Sequence, residues 1–80
     1  MKNKAKETPK MDLHNTKHQD VQTKLDKFLG EHILNGTNEA IVVTGNSDKM
    51  KVIVRNILKD YNLIGETSEL NSGILTIKLQ

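Results

Sequence analysis

Apolar and polar positions alternate along Met11-Asp12-Leu13-His14. A period of two predicts a short strand with Met11 and Leu13 on one face and Asp12 and His14 side by side on the other. The interval then lengthens. From about Lys17 to Leu34, Val21, Leu25, Phe28, Leu29 and His32 recur at helical spacing, opposite Asp20, Lys24, Lys27 and Glu31. Thr16 and Gln19 stand at capping-box spacing, which predicts a start near Lys17, and Asn35-Gly36 is a stop signal. Ala40-Ile41-Val42-Val43 is a run without alternation, as in a strand covered on both faces or lying centrally in a sheet. A second helix is predicted over Asp48 to Tyr61, closed by Asn62. It buries Met50, Ile53, Val54, Ile57 and Leu58 and carries Lys51, Arg55 and Lys59 every four residues on another face. Leu63–Thr67 and Gly73–Leu79 read as two further strands, parted by a polar loop through Ser68, Asn71 and Ser72.

The order strand, helix, strand, helix, strand, strand predicts an α/β fold, a two-layer sandwich with two helices on one face of a four-stranded mixed sheet. Right-handed crossovers that keep both helices on one face progress in one direction, so the strands are expected in chain order, the last two antiparallel. The other sheet face is left open, and Asp12 and His14 are expected to point there. Met11, Leu13, Val21, Leu25, Phe28, Val54, Ile57 and Leu58 are the expected core.

Eighty residues make one domain at most, and its aromatic content of 2% puts the core on Ile, Leu and Val. Phe28 and Tyr61 are too few to build a base-stacking platform. Without cysteine there are no disulfides, thiol nucleophiles or cysteine-based metal sites. No apolar run reaches membrane-spanning length, so a soluble, cytoplasmic monomer without membrane contact is expected. Of the net charge of +2, residues 1–10 carry +3, from four lysines against Glu7, which leaves residues 11–80 at −1. Residues 1–10 read as a disordered basic arm and 11–80 as the domain, whose anion binding must therefore rest on local clusters.

Asp12 and His14 can cooperate, the carboxylate accepting from one ring nitrogen so that the imidazole activates water or contacts phosphate. His14 and His18 are four apart but fall in different elements, so no helical histidine pair is expected, and neither metal nor cofactor is implied. His32, on the apolar stripe, reads as a histidine at the edge of the core. Thr44-Gly45-Asn46-Ser47 joins a strand end to a helix start, where backbone N–H groups and the dipole attract anions; helix capping by Asn46 or Ser47 would equally explain it. It lacks the ending of a nucleotide-binding P-loop. Lys49, Lys51 and Arg55 form the densest basic cluster of the domain, close to that loop.

From residue 11 to residue 79 the chain resembles the small MutS-related (Smr) domain family. That family opens on Leu-Asp-Leu-His-Gly, where this chain has Met11-Asp12-Leu13-His14-Asn15, and Val21, Leu25, Phe28 and Leu29 fall at the family's spacings. Gly45 matches the glycine after the second strand, and Gly73-Ile74-Leu75-Thr76-Ile77-Lys78-Leu79 is similar to the closing strand. The family's His-Gly-x-Gly is replaced here by Thr44-Gly45-Asn46-Ser47. The chain thus looks like a free-standing, degenerate member of the kind carried by a phage or mobile element. The resemblance implies DNA nicking, RNA cleavage, or binding to nucleic acid or the ribosome. The expected function is contact with the phosphate backbone of DNA or RNA through His14, Thr44, Gly45, Asn46, Ser47, Lys49, Lys51 and Arg55, with little or no nuclease activity. Two alternatives stand beside it: an active endonuclease with Asp12 and His14 as its catalytic residues, and a noncatalytic module that docks a protein partner.

Overall fold

The computed structural model describes residues 8–67 and 70–80. Its elements are β1 (Lys10–Asp12), α1 (His18–Leu34), β2 (Glu39–Val43), α2 (Asp48–Asp60), β3 (Gly65–Thr67) and β4 (Ile74–Lys78). This is the expected two-layer α/β arrangement in βαβαββ order. Lys10, grouped above with the basic arm, belongs to β1, and the pairing begins even earlier, since the Ile41 N–H donates to the Pro9 carbonyl (2.9 Å). Residues 1–7 of that arm, and Ser68 of the polar loop, lie outside the described residues.

The strand order corrects the expectation of chain order. It is β1-β2-β4-β3: β1 and β2 pair in parallel, β2 pairs antiparallel with β4, and β4 pairs antiparallel with β3. The crossover through α2 skips one strand position, and β4 folds back to fill it. Two five-residue apolar strands, β2 and β4, thereby share the middle, while the three-residue β1 and β3 form the edges. Short edges limit the exposed ladder of unpaired backbone groups.

Alternation along the central strands decides what each face does. Ala40, Val42, Leu75 and Ile77 are buried beneath the helices, while Ile41, Val43, Ile74 and Thr76 are half-buried on the opposite face. The run at 40–43 therefore marks a central position, with one face covered. Val21, Leu25, Phe28 and Leu29 of α1 and Met50, Val54, Ile57 and Leu58 of α2 complete the core with Leu13 and Leu79. Met11 and Ile53 are only partly buried and pack against it. Each large aliphatic side chain buried in this way stabilises the fold by about 1.5–3 kcal/mol.

The helix ends follow their local chemistry unevenly. At α1 the capping box is absent: Lys17 occupies the cap without a side-chain bond, because the Thr16 N–H donates to the Leu13 carbonyl (2.9 Å) in a turn that ends one residue too early. The far end closes as expected on Asn35-Gly36. Gly36 has φ +73°, its N–H donates to Ile33 and the Thr37 N–H donates to His32, which satisfies two terminal carbonyls. His32 packs edge-on against Phe28, their ring centroids 4.7 Å apart, as a histidine at the core edge would.

Candidate functional site

Leu13 fixes the geometry of its neighbours. Its side chain is fully buried and its N–H donates to the Val43 carbonyl (2.8 Å), so Asp12 and His14, on either side of it, turn outward. The His14 Nδ1 lies 2.5 Å from Asp12 Oδ1, and the same oxygen accepts the His14 backbone N–H at 3.0 Å. Both side chains are about half exposed, 49% for His14 and 56% for Asp12. The His14 side-chain hydrogen bond, followed by its backbone hydrogen bond, holds the Asp12 carboxyl below its ordinary value. A carboxyl lowered in this way keeps its pairing above the usual carboxylate range and loses it as pH falls through the lowered value. With Nδ1 donating to Asp12, Nε2 is the ring nitrogen left for a ligand.

Behind this pair stands the turn that ends β2. Gly45 has φ +70°, and a Cβ built there would lie 3.1 Å from the His14 Cβ, so the turn abuts the base of the His14 side chain. One acceptor holds the turn: the Gly73 carbonyl takes the N–H groups of Thr44 (2.8 Å) and Gly45 (3.0 Å) and the Thr44 hydroxyl (3.3 Å). The Thr44 hydroxyl also lies within bonding distance of the Gly45 carbonyl (3.0 Å). Gly73 was not singled out as a site residue from sequence, although a glycine opening the last strand was the available signal.

This arrangement turns Thr44 inward. Its side chain is 1% exposed, and its hydroxyl and amide are bonded internally. The Gly45 amide is likewise engaged, so the first two residues of the turn offer no free N–H to an anion. Ser47 caps α2 by accepting the Met50 N–H (3.0 Å), and Asp48 sets a carboxylate on the positive end of the helix dipole. The turn is built as a helix cap, with Asn46 and Ser47 exposed on its rim.

The basic cluster also divides. Lys49 and Lys51 are two positions apart on α2, about 200° around the axis, and so do not share a face. Lys49 is exposed and Lys51 half-buried. Arg55, one turn beyond Lys51, lines a groove of about 370 Å³ with Val52, Asn56, Lys59, Leu63, Ile64 and Gly65. That groove borders β3, the edge of the sheet opposite β1. Arg55 therefore flanks the far edge, away from the Asp12–His14 pair.

Among the described residues no group of three or more His, Asp or Glu side chains is placed to hold a metal ion, and no helix is long and apolar enough to cross a membrane. The two-layer α/β domain thus presents an exposed Asp-His pair at the end of β1, beside the glycine turn that ends β2. A model of the Smr domain matches residues 11–80, and the chain belongs to that family. Comparison with curated proteins and with solved structures returned no match.

Proposed function

We propose that this Smr domain contacts the phosphate backbone of DNA or RNA at the end of the sheet where β1 and β2 finish, with little or no cleavage. The observation that carries this reading is the exposed Asp12–His14 pair set against the Gly45 turn. His14 Nε2, when protonated, donates to a phosphate oxygen while Asp12 compensates the imidazolium charge. Asn46 and Ser47 of the turn, with Lys49 and Lys51 on separate faces of the start of α2, supply further donors. Arg55 engages only a strand that continues over the outer surface of α2. Readout is electrostatic, with no aromatic platform to stack bases, so DNA and RNA, ribosomal RNA included, are ligands of one chemistry.

Weak cleavage follows from what surrounds the imidazole. Attack on a phosphodiester needs a positioned base and stabilisation of the charge that develops on phosphate. Asp12 and His14 supply the first. The position where the family resemblance implies a second histidine holds Thr44, which is buried and internally bonded. One observation favours the endonuclease reading, namely that the imidazole is already oriented by its carboxylate.

The test is titration of purified protein against labelled RNA, single-stranded DNA and duplex DNA at two salt concentrations, with product gels in parallel. Binding is expected to weaken by about 0.7–0.9 logarithmic units per phosphate contact per tenfold rise in salt. The combined substitutions His14→Ala, Lys49→Ala and Lys51→Ala should lower both affinity and salt slope more than removal of residues 1–7 does. Binding that survives the triple substitution and vanishes with residues 1–7 would refute the proposed surface. Wild-type turnover that disappears in His14→Ala would establish the nuclease instead.

A further inference from the structure

We infer that the open face of the sheet is a self-association surface and that its partner is a second copy of this chain. The register places side chains on that face in rows. Lys10, Ile41, Thr76 and Glu66 lie across the four strands in one row; Asp12, Val43 and Ile74 form the row on one side of it, and Glu39 and Lys78 the row on the other. Ile41, Val43 and Ile74 make an apolar centre that the helices, packed on the other face, leave uncovered.

The charges around that centre are self-complementary. In the first row the cation, Lys10, stands on the β1 edge and the anion, Glu66, on the β3 edge. In the third row the anion, Glu39, is on β2 and the cation, Lys78, on β4. A two-fold axis parallel to the strands lays β1 over β3 and β2 over β4 of the second copy. Lys10 then faces Glu66 of the other copy while Glu39 faces its Lys78, and each pair occurs twice. An isologous interface requires this of a surface, that it complement itself under the symmetry operation. Asp12 is already paired with His14.

Size sets the strength. Two five-residue and two three-residue strands, about 4.8 Å apart, span roughly 250 Å² of sheet, well under the roughly 800 Å² per partner of a stable interface. The dimer is therefore weak, and the chain is a monomer when dilute. The same axis puts the Asp12–His14 pairs of both copies at one end of the assembly, where a single nucleic-acid chain can meet both.

Sedimentation equilibrium of the full chain from about 10 μM to about 1 mM tests the inference over the range a weak dimer populates. The apparent mass should rise with concentration from 9.0 kDa toward twice that value. Lys10→Glu or Glu66→Lys alone places like charges opposite each other at two points per dimer and should weaken association about tenfold. The two variants mixed in equal amounts should recover it, because each then presents the charge the other lacks. Circular dichroism confirms that both exposed-site variants are folded. A single 9.0 kDa species throughout, association indifferent to either reversal, or no recovery on mixing would each overturn the inference.

Discussion

A methyl group added at Gly45 would stand 3.1 Å from the His14 Cβ, on a backbone whose φ of +70° disfavours any residue with a side chain. Gly45→Ala is therefore expected to lose about 1–2 kcal/mol, read by thermal melting, and to displace the imidazole, read as weaker nucleic-acid binding. Thr44→Asn gives a contrasting result. The larger amide replaces a side chain that is 1% exposed and bonded to the Gly73 carbonyl, so about 1–3 kcal/mol of stability should be lost while the chemistry of the exposed pair stays unchanged. At this scale the Asp12–His14 pairing was legible, because two residues that alternate with a buried leucine must share a face. The burial of Thr44 was not, since it depends on a carbonyl 29 positions away.

Among the elements, α1 carries an unforced weakness. Gly30 is helical, and a Cβ there would meet nothing within 4 Å, so Gly30→Ala should stabilise the domain by about 0.5–1 kcal/mol and raise the melting temperature by several degrees. Among the described residues, the Tyr61 hydroxyl, at the C-cap of α2, donates to Asp26 Oδ1 of α1 (2.7 Å). That bond, then burial, raises the Tyr61 phenol above its ordinary value of 10.0. Its stabilisation is fully present below pH 10 and fades as pH rises through the raised value. Tyr61→Phe should lower stability by about 1 kcal/mol at neutral pH and erase that alkaline dependence, which denaturant titration at several pH values would measure. Helical periodicity made both helices readable, because apolar stripes at 3.6 residues per turn admit one reading. The capping box at Thr16 misled because a turn from Leu13 takes up the same residues.

For the molecule as a whole, fold class was readable and strand order was not. Crossover handedness constrains β1 to β2 and the route through α2, but whether β4 joins the outer edge or slips inward is decided by contacts remote in sequence. The pairing of Val42 with Leu75 and of Ala40 with Ile77 decides it, placing the most apolar strands side by side. A time ordering follows from that topology. β3 pairs only with β4, and β2 gains its second neighbour only from β4, so a polypeptide still emerging from its template holds two incomplete strands and an uncovered core until Ile74–Lys78 arrives. The sheet therefore closes only once β4 is present, whatever the helices have formed before it. A chain stopped after Ser72 should lack protease resistance and cooperative melting, whereas the full chain, released and diluted from denaturant, should regain both in a single step.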